Sequence, residues 1–272
     1  QVGIEDKAKA EKIGTKKEAS MLSQLKACMK TKYWILFVLI ILIWNTLANM
    51  RNISLVYYCG WVVNGNAYGS YATIQAKFQM IAMSPMGPGV LILLPLMKKF
   101  GRTKCIWMGG ILTTIGSVIA YLNPGSGMMI YMGSALAAFG NIAFSYVILT
   151  FVGDLIDHVE WKTGVRCDGL TGGTVSAVMM FAVGIAQGIF NLGLMATGYM
   201  QPQQVGVSPS GVALFADQSA AATGWINFAY QGSYIIIGLM FFFIFCFVFR
   251  LEYQMPQVSK ELQDRKIADC AK

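Results

Sequence analysis

Charged side chains are scarce in this chain of 272 residues, since only 12% of its positions are Asp, Glu, Lys or Arg. An ordinary soluble domain carries about 25%. Hydrophobic residues make up 56% of the chain and the mean hydropathy is +0.54, which indicates a membrane protein. The formal net charge is nevertheless +8. Because the basic residues flank apolar runs, we expect contact with anionic lipid and no nucleic-acid partner.

Histidine occurs only once, at position 158, and none of the six cysteines forms a Cys-x-x-Cys pair. The sequence therefore has no pattern for a disulfide framework, a zinc site or a His-Cys-carboxylate catalytic cluster. We expect no metal and no catalytic residue, and we interpret His158 as a solvated loop histidine. A cleavable signal peptide is also missing, and the first residue is Gln. These features predict the later part of a longer protein.

Six apolar segments fill most of the chain, and each reaches or nears the length that crosses a bilayer as a helix. They are residues 33–58, 72–97, 105–122, 128–153, 170–199 and 224–249. The predicted fold class is an all-α membrane protein with six transmembrane helices. Two prolines and two glycines at 85–89 interrupt the second segment, which removes backbone hydrogen bonds and is common at transport sites. Gly184-x-x-x-Gly188 predicts close contact between helices.

Lysine and arginine lie in alternate connections between these segments. The connection at 98–104 and the one holding Lys162 and Arg166 are basic. The remaining connections contain neither residue, and they are 59–70, 123–127 and 200–223. Positive charge marks the cytoplasmic side. We therefore expect a multi-pass protein of the cell membrane with both termini in the cytoplasm.

Three regions follow from this topology. Residues 1–32 are lysine-rich and predict a cytoplasmic basic loop or linker. From Ser20 onward, apolar residues recur at helical spacing, which predicts a short helix on the membrane surface. Residues 33–250 form the six-helix transmembrane domain, and residues 251–272 form a cytoplasmic tail.

Amide side chains recur four residues apart within the apolar segments, and such residues share a helix face. The pairs are Asn45 and Asn49, Gln187 and Asn191, and Asn227 and Gln231. A single amide of this kind is usually a hydrogen bond between helices that holds the bundle together. Stripes on several helices favour a water-filled path for a polar solute. The charged Arg51 either needs a partner at depth or reaches to the outer surface.

A charged stretch follows the fourth apolar segment, and we interpret it as a water-facing hinge between two membrane-spanning helices. Its charged residues include Asp154, Asp157, Glu160, Lys162, Arg166 and Asp168. If the helix continues, the first three carboxylates lie on adjacent turns of one face. Lysine and arginine here and at 98–104 can supply counter-charges. Exposed ion pairs contribute about 0–1 kcal/mol each, but several together can bias a two-state equilibrium with a gap of a few kcal/mol.

The motif Asp-x-x-Asp-x-x-Glu-Trp-Lys-x-x-x-Arg-x-Asp at 154–168 resembles the pattern that joins the tenth and eleventh helices of the glycoside–pentoside–hexuronide:cation symporters. These are major-facilitator transporters typified by the melibiose carrier. Lys-Lys-Phe-Gly-Arg at 98–102, the basic lead-in to Tyr33 and the aromatic end at Phe249 resemble the family in the same order. The resemblance covers nearly the whole chain but only the second half of such a transporter, and it implies helices seven to twelve.

The resemblance also bears on individual positions. Ser145, which precedes Tyr146, stands where the melibiose carrier has a sugar-contacting Trp, and Met180 stands where many members have Lys. Ser176 keeps the hydroxyl position four residues before Met180. With the amide stripes, the candidate solute contacts are Asn45, Asn49, Ser145, Tyr146, Ser176, Gln187 and Asn191. The candidate residues of the cytoplasmic gate are Asp154, Asp157, Glu160, Lys162 and Arg166.

The predicted function is cation-coupled sugar transport by alternating access, with this chain as the C-terminal half. Its N-terminal six-helix partner would belong to the same chain or another one. No cofactor is expected; the coupling ion would be Na⁺ or H⁺, bound by acidic residues of the N-terminal half. One alternative is an intramembrane Mg²⁺-dependent transferase that holds a lipid diphosphate at Asp154 and Asp157, although a second acidic cluster is missing. The other alternative is a non-transporting membrane scaffold or fragment.

Overall fold

A computed structural model describes residues 20–63, 71–84, 86–209, 211 and 213–270 of the chain. The described residues form ten α-helices and one two-stranded sheet. The helices are α1 (Met21–Met29), α2 (Lys32–Tyr57), α3 (Tyr71–Met83), α4 (Met86–Phe100), α5 (Arg102–Leu122), α6 (Gly127–Thr163), α7 (Asp168–Ala196), α8 (Ala220–Asn227), α9 (Ser233–Phe243) and α10 (Leu251–Cys270). Three π-helical turns extend or join them, at Tyr58–Val63, Phe228–Gly232 and Ile244–Val248.

Five helical stretches among the described residues are long and apolar enough to cross a membrane. They are Lys32–Val63, Arg102–Leu122, Gly127–Thr163, Asp168–Ala196 and Ala220–Val248. The second predicted segment, 72–97, is divided between α3 and α4, and neither helix alone is long enough to cross. Its glycines and Pro88 lie in the first turn of α4, where proline is tolerated, while Pro85 lies outside the described residues. The number of six crossings therefore stays a prediction.

The fourth segment runs well past its predicted end at residue 153. Helix α6 continues to Thr163, and Gly164, with a φ of 72°, closes it in the left-handed region that glycine adopts without strain. The three acidic residues of the motif therefore lie on a continuous helix, as their spacing allows. The hinge interpretation is wrong for residues 154–163, and the connection itself is the short turn 164–167.

Helices α5 and α6 approach closely because glycines face each other across their interface. A methyl group placed on Gly109 would lie 2.6 Å from the carbonyl oxygen of Gly140, and one on Gly116 would lie 2.6 Å from that of Gly133. Side chains at these positions would push the helices apart. Among the described residues, nothing lies within 4 Å of a methyl group placed on Gly184 or Gly188, so the close helix contact that this pair permits stays a prediction.

The core at one end of the bundle is built on aromatic contacts between α6 and the last span. The rings of Phe144 and Phe241 stack with centroids 3.5 Å apart. The predicted C-terminal tail folds as α10, which buries Met255, Val258 and Leu262 against this core. The segment 251–270 is therefore a packed helix that adjoins the charged end of α6.

Two smaller elements complete the fold, of which the sheet could not be read from the pattern of apolar residues and the first helix could. Strands β1 (Gln204–Val207) and β2 (Ala213–Phe215) form an antiparallel pair in the connection between α7 and α8. Helix α1 begins where the sequence predicts a surface helix, with the Ser20 hydroxyl accepting a hydrogen bond from the backbone N–H of Ser23. Residues 1–19 of the predicted basic loop lie outside the described residues.

Candidate functional site

A first cluster of charges joins the starts of α5 and α10 to the charged part of α6. Arg102, the first residue of α5, donates from Nη2 to Asp154 Oδ2 on α6 at 2.5 Å. Its Nε lies 3.5 Å from Oε1 of Glu252, the second residue of α10. The guanidinium carbon also lies 4.9 Å from the centre of the Phe151 ring. These side chains are about one-fifth to one-quarter exposed, so water screens them less than it screens ordinary surface pairs.

Glu252 also completes the beginning of α5, which has no capping side chain of its own. The residue before the helix is Gly101, with a φ of 89°. Glu252 Oε1 accepts from the backbone N–H of Arg102 at 2.8 Å, and Oε2 accepts from that of Thr103 at 2.7 Å. Burial raises the pKa of Glu252, but the hydrogen bonds from Thr103 and Arg102 and the charge of Arg102 outweigh it, so the pKa lies below its ordinary value.

A second cluster surrounds Arg166 in the turn between α6 and α7. Its Nη1 donates to Glu160 Oε2 at 2.8 Å and to Asp157 Oδ1 at 3.3 Å, while its Nε donates to Asp168 Oδ2 at 2.7 Å. One guanidinium therefore ties the last turns of α6 to the first residue of α7. The hydrogen bonds to Asp168 and Glu160 raise the pKa of Arg166 further above its ordinary value. The charge pairing expected from the motif is present in the structure.

Two residues of the motif differ from their predicted environments. Lys162 is exposed, and it takes part in none of the ion pairs found in the described part of the chain. His158 is only 3% exposed, and its ring packs edge-on against Tyr33 with centroids 5.3 Å apart. The interpretation of His158 as a solvated loop residue is therefore wrong. The cause is the continuation of α6, which turns this position towards α2.

The C-terminal helix makes a further contact with the motif. Trp161 Nε1 donates to Glu261 Oε2 at 2.5 Å, and Arg265 Nη1 donates to the carbonyl oxygen of Trp161 at 3.0 Å. These two contacts attach α10 to the charged end of α6, while Glu252 attaches it to the start of α5. The sequence motif had assigned no partner to its tryptophan.

Helix α7 is the least buried of the five candidate spans among the described residues. Only 22% of its most apolar stretch is buried, against 33% to 44% for the other spans. Ser176, Gln187 and Asn191 are exposed on this helix, and the amide of Gln187 donates to Asn191 Oδ1 at 3.3 Å. Met180, on the same helix, is 78% exposed. The structure therefore brings three of the candidate solute contacts onto one uncovered helix.

The other candidate solute contacts are on α2 and α6. Asn45 and Asn49 are half-buried and donate to backbone carbonyl oxygens one turn earlier in their own helix. Ser145 is half-buried and donates to the carbonyl oxygen of Asn141 at 3.1 Å, while Tyr146 is 43% exposed. None of the hydrogen bonds between described residues joins these four side chains to the amides of α7.

The amides of the last span hold the bundle together. Asn227 Nδ2 donates to the Tyr121 carbonyl oxygen at 3.2 Å. Gln231 Nε2 donates to Ser134 Oγ at 3.1 Å, and its Oε1 accepts from Arg51 Nη1 at 3.2 Å. Arg51 is 6% exposed, so it does not reach to the outer surface. Its partners lie on the last span.

A family model with the description MFS/sugar transport protein matches residues 2–253. The chain belongs to this family. Membership makes it a multi-pass, all-α membrane protein of the transporter class rather than an enzyme, which argues against the lipid-diphosphate transferase. The resemblance seen in the charged motif is confirmed at the level of the family.

Several curated proteins are similar to this chain. A protein of Salmonella typhimurium named as a sulfoquinovose importer is 30% identical over 156 residues, which cover 56% of this chain and 31% of that protein. The isoprimeverose transporter of Lactiplantibacillus pentosus is 25% identical over 71% of this chain and 40% of its own length. An Escherichia coli protein named as a 2,3-dihydroxypropane-1-sulfonate exporter is 26% identical over 80% and 43%. The chain thus spans less than half the length of these relatives.

Proposed function

We propose that this chain forms the C-terminal half of a sugar transporter that works by alternating access. The observation that carries the proposal is the pair of ion clusters centred on Arg102 and Arg166, in a chain that belongs to a sugar-transport family. Under the topology that the sequence predicts, both clusters would lie on the cytoplasmic side. A two-state transporter needs contacts of this kind, which form in one state and break in the other.

The ion clusters support a role as the cytoplasmic gate. The Arg166 side chain and its three carboxylate partners are between 20% and 56% exposed, so each pair contributes only about 0–1 kcal/mol. Their sum is comparable to the few kcal/mol that separate two conformations of a protein. Loss of Arg166 would therefore change the relative populations of the two states without unfolding the helices.

The uncovered face of α7 supports a partner half across from it. Serine and amide side chains are rarely exposed to lipid and usually face protein or a water-filled cavity. An N-terminal six-helix half, in the same chain or another, would enclose this face and leave the solute path between the two halves. Ser176, Gln187 and Asn191 would then hydrogen-bond the solute, with Asn45, Asn49, Ser145 and Tyr146 as further contacts.

The remaining parts of the proposal concern the solute, the ion and the membrane. Two of the relatives are named for sulfonates and one for a sugar, which supports a sugar or a sugar-derived polyol as the solute. Coupling to Na⁺ or H⁺ would use acidic groups of the N-terminal half. Both termini of this chain would lie in the cytoplasm, with the helices in the cell membrane.

Uptake into cells tests this function. The reading frame that contains this chain is expressed in cells deficient in sugar uptake, and a panel of labelled neutral and acidic sugars is supplied. We expect uptake of at least one sugar, slowed in Arg166→Ala while its equilibrium binding stays close to that of the wild type. Lys260→Ala, which removes an exposed cation from α10, serves as the matched control. Uptake equal to that of empty cells for every sugar would refute the proposal.

A further inference from the structure

An apolar cavity of about 210 Å³ lies between α4, α5 and α6. Its walls are aliphatic side chains, glycines, one phenylalanine ring and the Cys105 thiol. An apolar cavity of about 150 Å³ stays dry and admits benzene, so this one has room for several methylene groups. It opens at the surface of the bundle, because Ile92, Met108 and Phe139 on its walls are exposed.

The surroundings of the cavity mouth are those of a surface that contacts lipid. The exposed side chains beside it include Leu91, Leu94 and Ile115, which are aliphatic. Helix α7, by contrast, exposes a serine and two amides. Helices α4 and α5 pack against each other and against α6, whereas α7 packs chiefly against α2. The cavity therefore lies on a different part of the bundle from the polar face of α7.

Three exposed lysines lie at one end of this cavity. Helices α4 and α5 form a tight hairpin, and its turn adjoins the end of the cavity that Leu96 and Cys105 line. Lys98 and Lys99 follow Leu96 by two and three residues, and Lys104 immediately precedes Cys105. None of the three takes part in an ion pair between described residues. Their charges are therefore free to attract an anion at the membrane surface.

The length of the cavity matches part of one acyl chain below a head group. Leu96 and Gly89 on α4 are seven residues apart, as are Cys105 and Leu112 on α5. Seven residues of helix rise by about 10 Å. The hydrocarbon of one leaflet is about 15 Å thick, half of the roughly 30 Å core. An acyl chain could therefore lie along the cavity for most of its depth, with its head group at the level of the lysines.

We propose that an anionic phospholipid of the cytoplasmic leaflet binds at this site, with its phosphate among Lys98, Lys99 and Lys104 and one acyl chain in the cavity. A soluble phosphate ester would contact the lysines and leave the apolar walls empty. A zwitterionic lipid would fill the cavity, but its own cationic group would weaken the attraction to the lysines. Only a lipid with a net negative charge uses both parts of the site.

Lipid binding to the purified product of the full reading frame tests this site, with native mass spectrometry as the readout. Dioleoyl phosphatidylglycerol and dioleoyl phosphatidylcholine carry the same chains and differ in net charge, while glycerol 3-phosphate has no chains. We expect phosphatidylglycerol to bind about tenfold tighter than phosphatidylcholine and to resist displacement by equimolar glycerol 3-phosphate. Equal affinity for the two lipids, or displacement by glycerol 3-phosphate, would overturn the inference.

Two triple variants locate the head group. The combination of Lys98→Gln, Lys99→Gln and Lys104→Gln should reduce the preference for phosphatidylglycerol about tenfold, and so remove it. The control removes the same charge from three exposed lysines around the junction of α1 and α2, namely Lys26→Gln, Lys30→Gln and Lys32→Gln. An equal loss of preference in both variants would show non-specific attraction to the protein surface and refute the site.

A tryptophan at the cavity mouth tests the place of the acyl chain. Met108→Trp should weaken both lipids about tenfold and keep their ratio, because it displaces about two buried methylene groups. Ile115→Trp is the matched control, since Ile115 lies on the same face of α5, is 48% exposed against 39% for Met108, and does not line the cavity. Ile92→Trp closes the mouth from α4 if Met108→Trp fails to fold. Unchanged binding in a folded mouth variant would refute an acyl chain in the cavity.

Discussion

Replacement of Glu252 by glutamine isolates the contribution of one carboxylate that two helices share. The carboxylate accepts hydrogen bonds from the first two backbone N–H groups of α5 at 2.8 and 2.7 Å, and the Glu252 side chain is 22% exposed. Gln keeps one acceptor oxygen and loses both the second acceptor and the negative charge. The variant therefore preserves the volume of the side chain and removes the electrostatic contact.

The size of the effect follows from these contacts. A hydrogen bond to a charged group contributes about 1.5–3 kcal/mol, and a negative charge at a helix N-terminus adds about 0.3–1 kcal/mol. The more distant pair with Arg102 Nε adds roughly 0–1 kcal/mol because it is partly exposed. Since one of the two hydrogen bonds survives in weaker form, we expect Glu252→Gln to lower the free energy of unfolding by about 2–3 kcal/mol.

The pH dependence has a definite sign. Because the pKa of folded Glu252 lies below its ordinary value of 4.5, the unfolded chain takes up the proton first as the pH falls. The stabilisation is complete above that ordinary value and is lost as the pH falls through it towards the lower folded value. The difference in free energy of unfolding between wild type and Glu252→Gln should therefore become smaller in acid, because Gln does not titrate.

This difference is measured at neutral and acidic pH by titrating the purified proteins with SDS and monitoring unfolding through tryptophan fluorescence. Asp264→Asn is the control, since this exposed carboxylate lies on the same helix. A difference below about 0.5 kcal/mol at neutral pH, typical of an ordinary surface substitution, would refute capping by Glu252. A difference that is the same at acidic and neutral pH would refute a lowered pKa of Glu252 in the folded protein.

Three other substitutions or reactions follow from the structure. Arg166→Ala should slow uptake more than Lys162→Ala, because Arg166 is ion-paired whereas Lys162 takes part in none of the ion pairs between described residues; equal rates in labelled-sugar uptake would contradict this. Gly140→Ala should lower the free energy of unfolding by about 1–3 kcal/mol, since the new methyl would lie 2.6 Å from the Gly109 carbonyl oxygen. Gly188→Ala should leave it unchanged, because no described atom lies within 4 Å of a methyl group there. SDS titration of the two variants compares these effects. Burial raises the pKa of Cys167 to about 12, so N-ethylmaleimide at neutral pH should modify it only after unfolding, as measured by mass spectrometry.

The apolar segments and the charged motif could be predicted because each depends on local chemistry. A run of about twenty apolar residues has few stable alternatives to a membrane helix, and the predicted starts of all six runs lie within four residues of an observed helix start. The pairing of Arg166 with Asp157 and Glu160 follows from short sequence separations. Helical periodicity also placed Gln187 and Asn191 on one face.

The contacts that the sequence could not supply are those between distant positions. Glu252 and Arg102 are 150 residues apart, and nothing local to either residue specifies the other. The same holds for Arg51, whose partner Gln231 is 180 residues away. The burial of His158 does not follow from the apolar pattern, because the apolar run stops at residue 153 while the helix continues to Thr163. The charged residues on the following turns stay helical because Arg102 and Arg166 pair with the carboxylates of α6.

The capping of α5 by Glu252 has a consequence for biosynthesis. A ribosome that adds roughly 5–20 residues per second makes Glu252 about 8 to 30 s after Arg102, so α5 enters the membrane long before the carboxylate that completes its first turn exists. A nascent chain interrupted just before Glu252 holds all the helices up to α9 but leaves two amide hydrogens of α5 without their carboxylate acceptor and lacks α10. Quality-control proteases would encounter such a chain with the charged end of α6 still uncovered by α10.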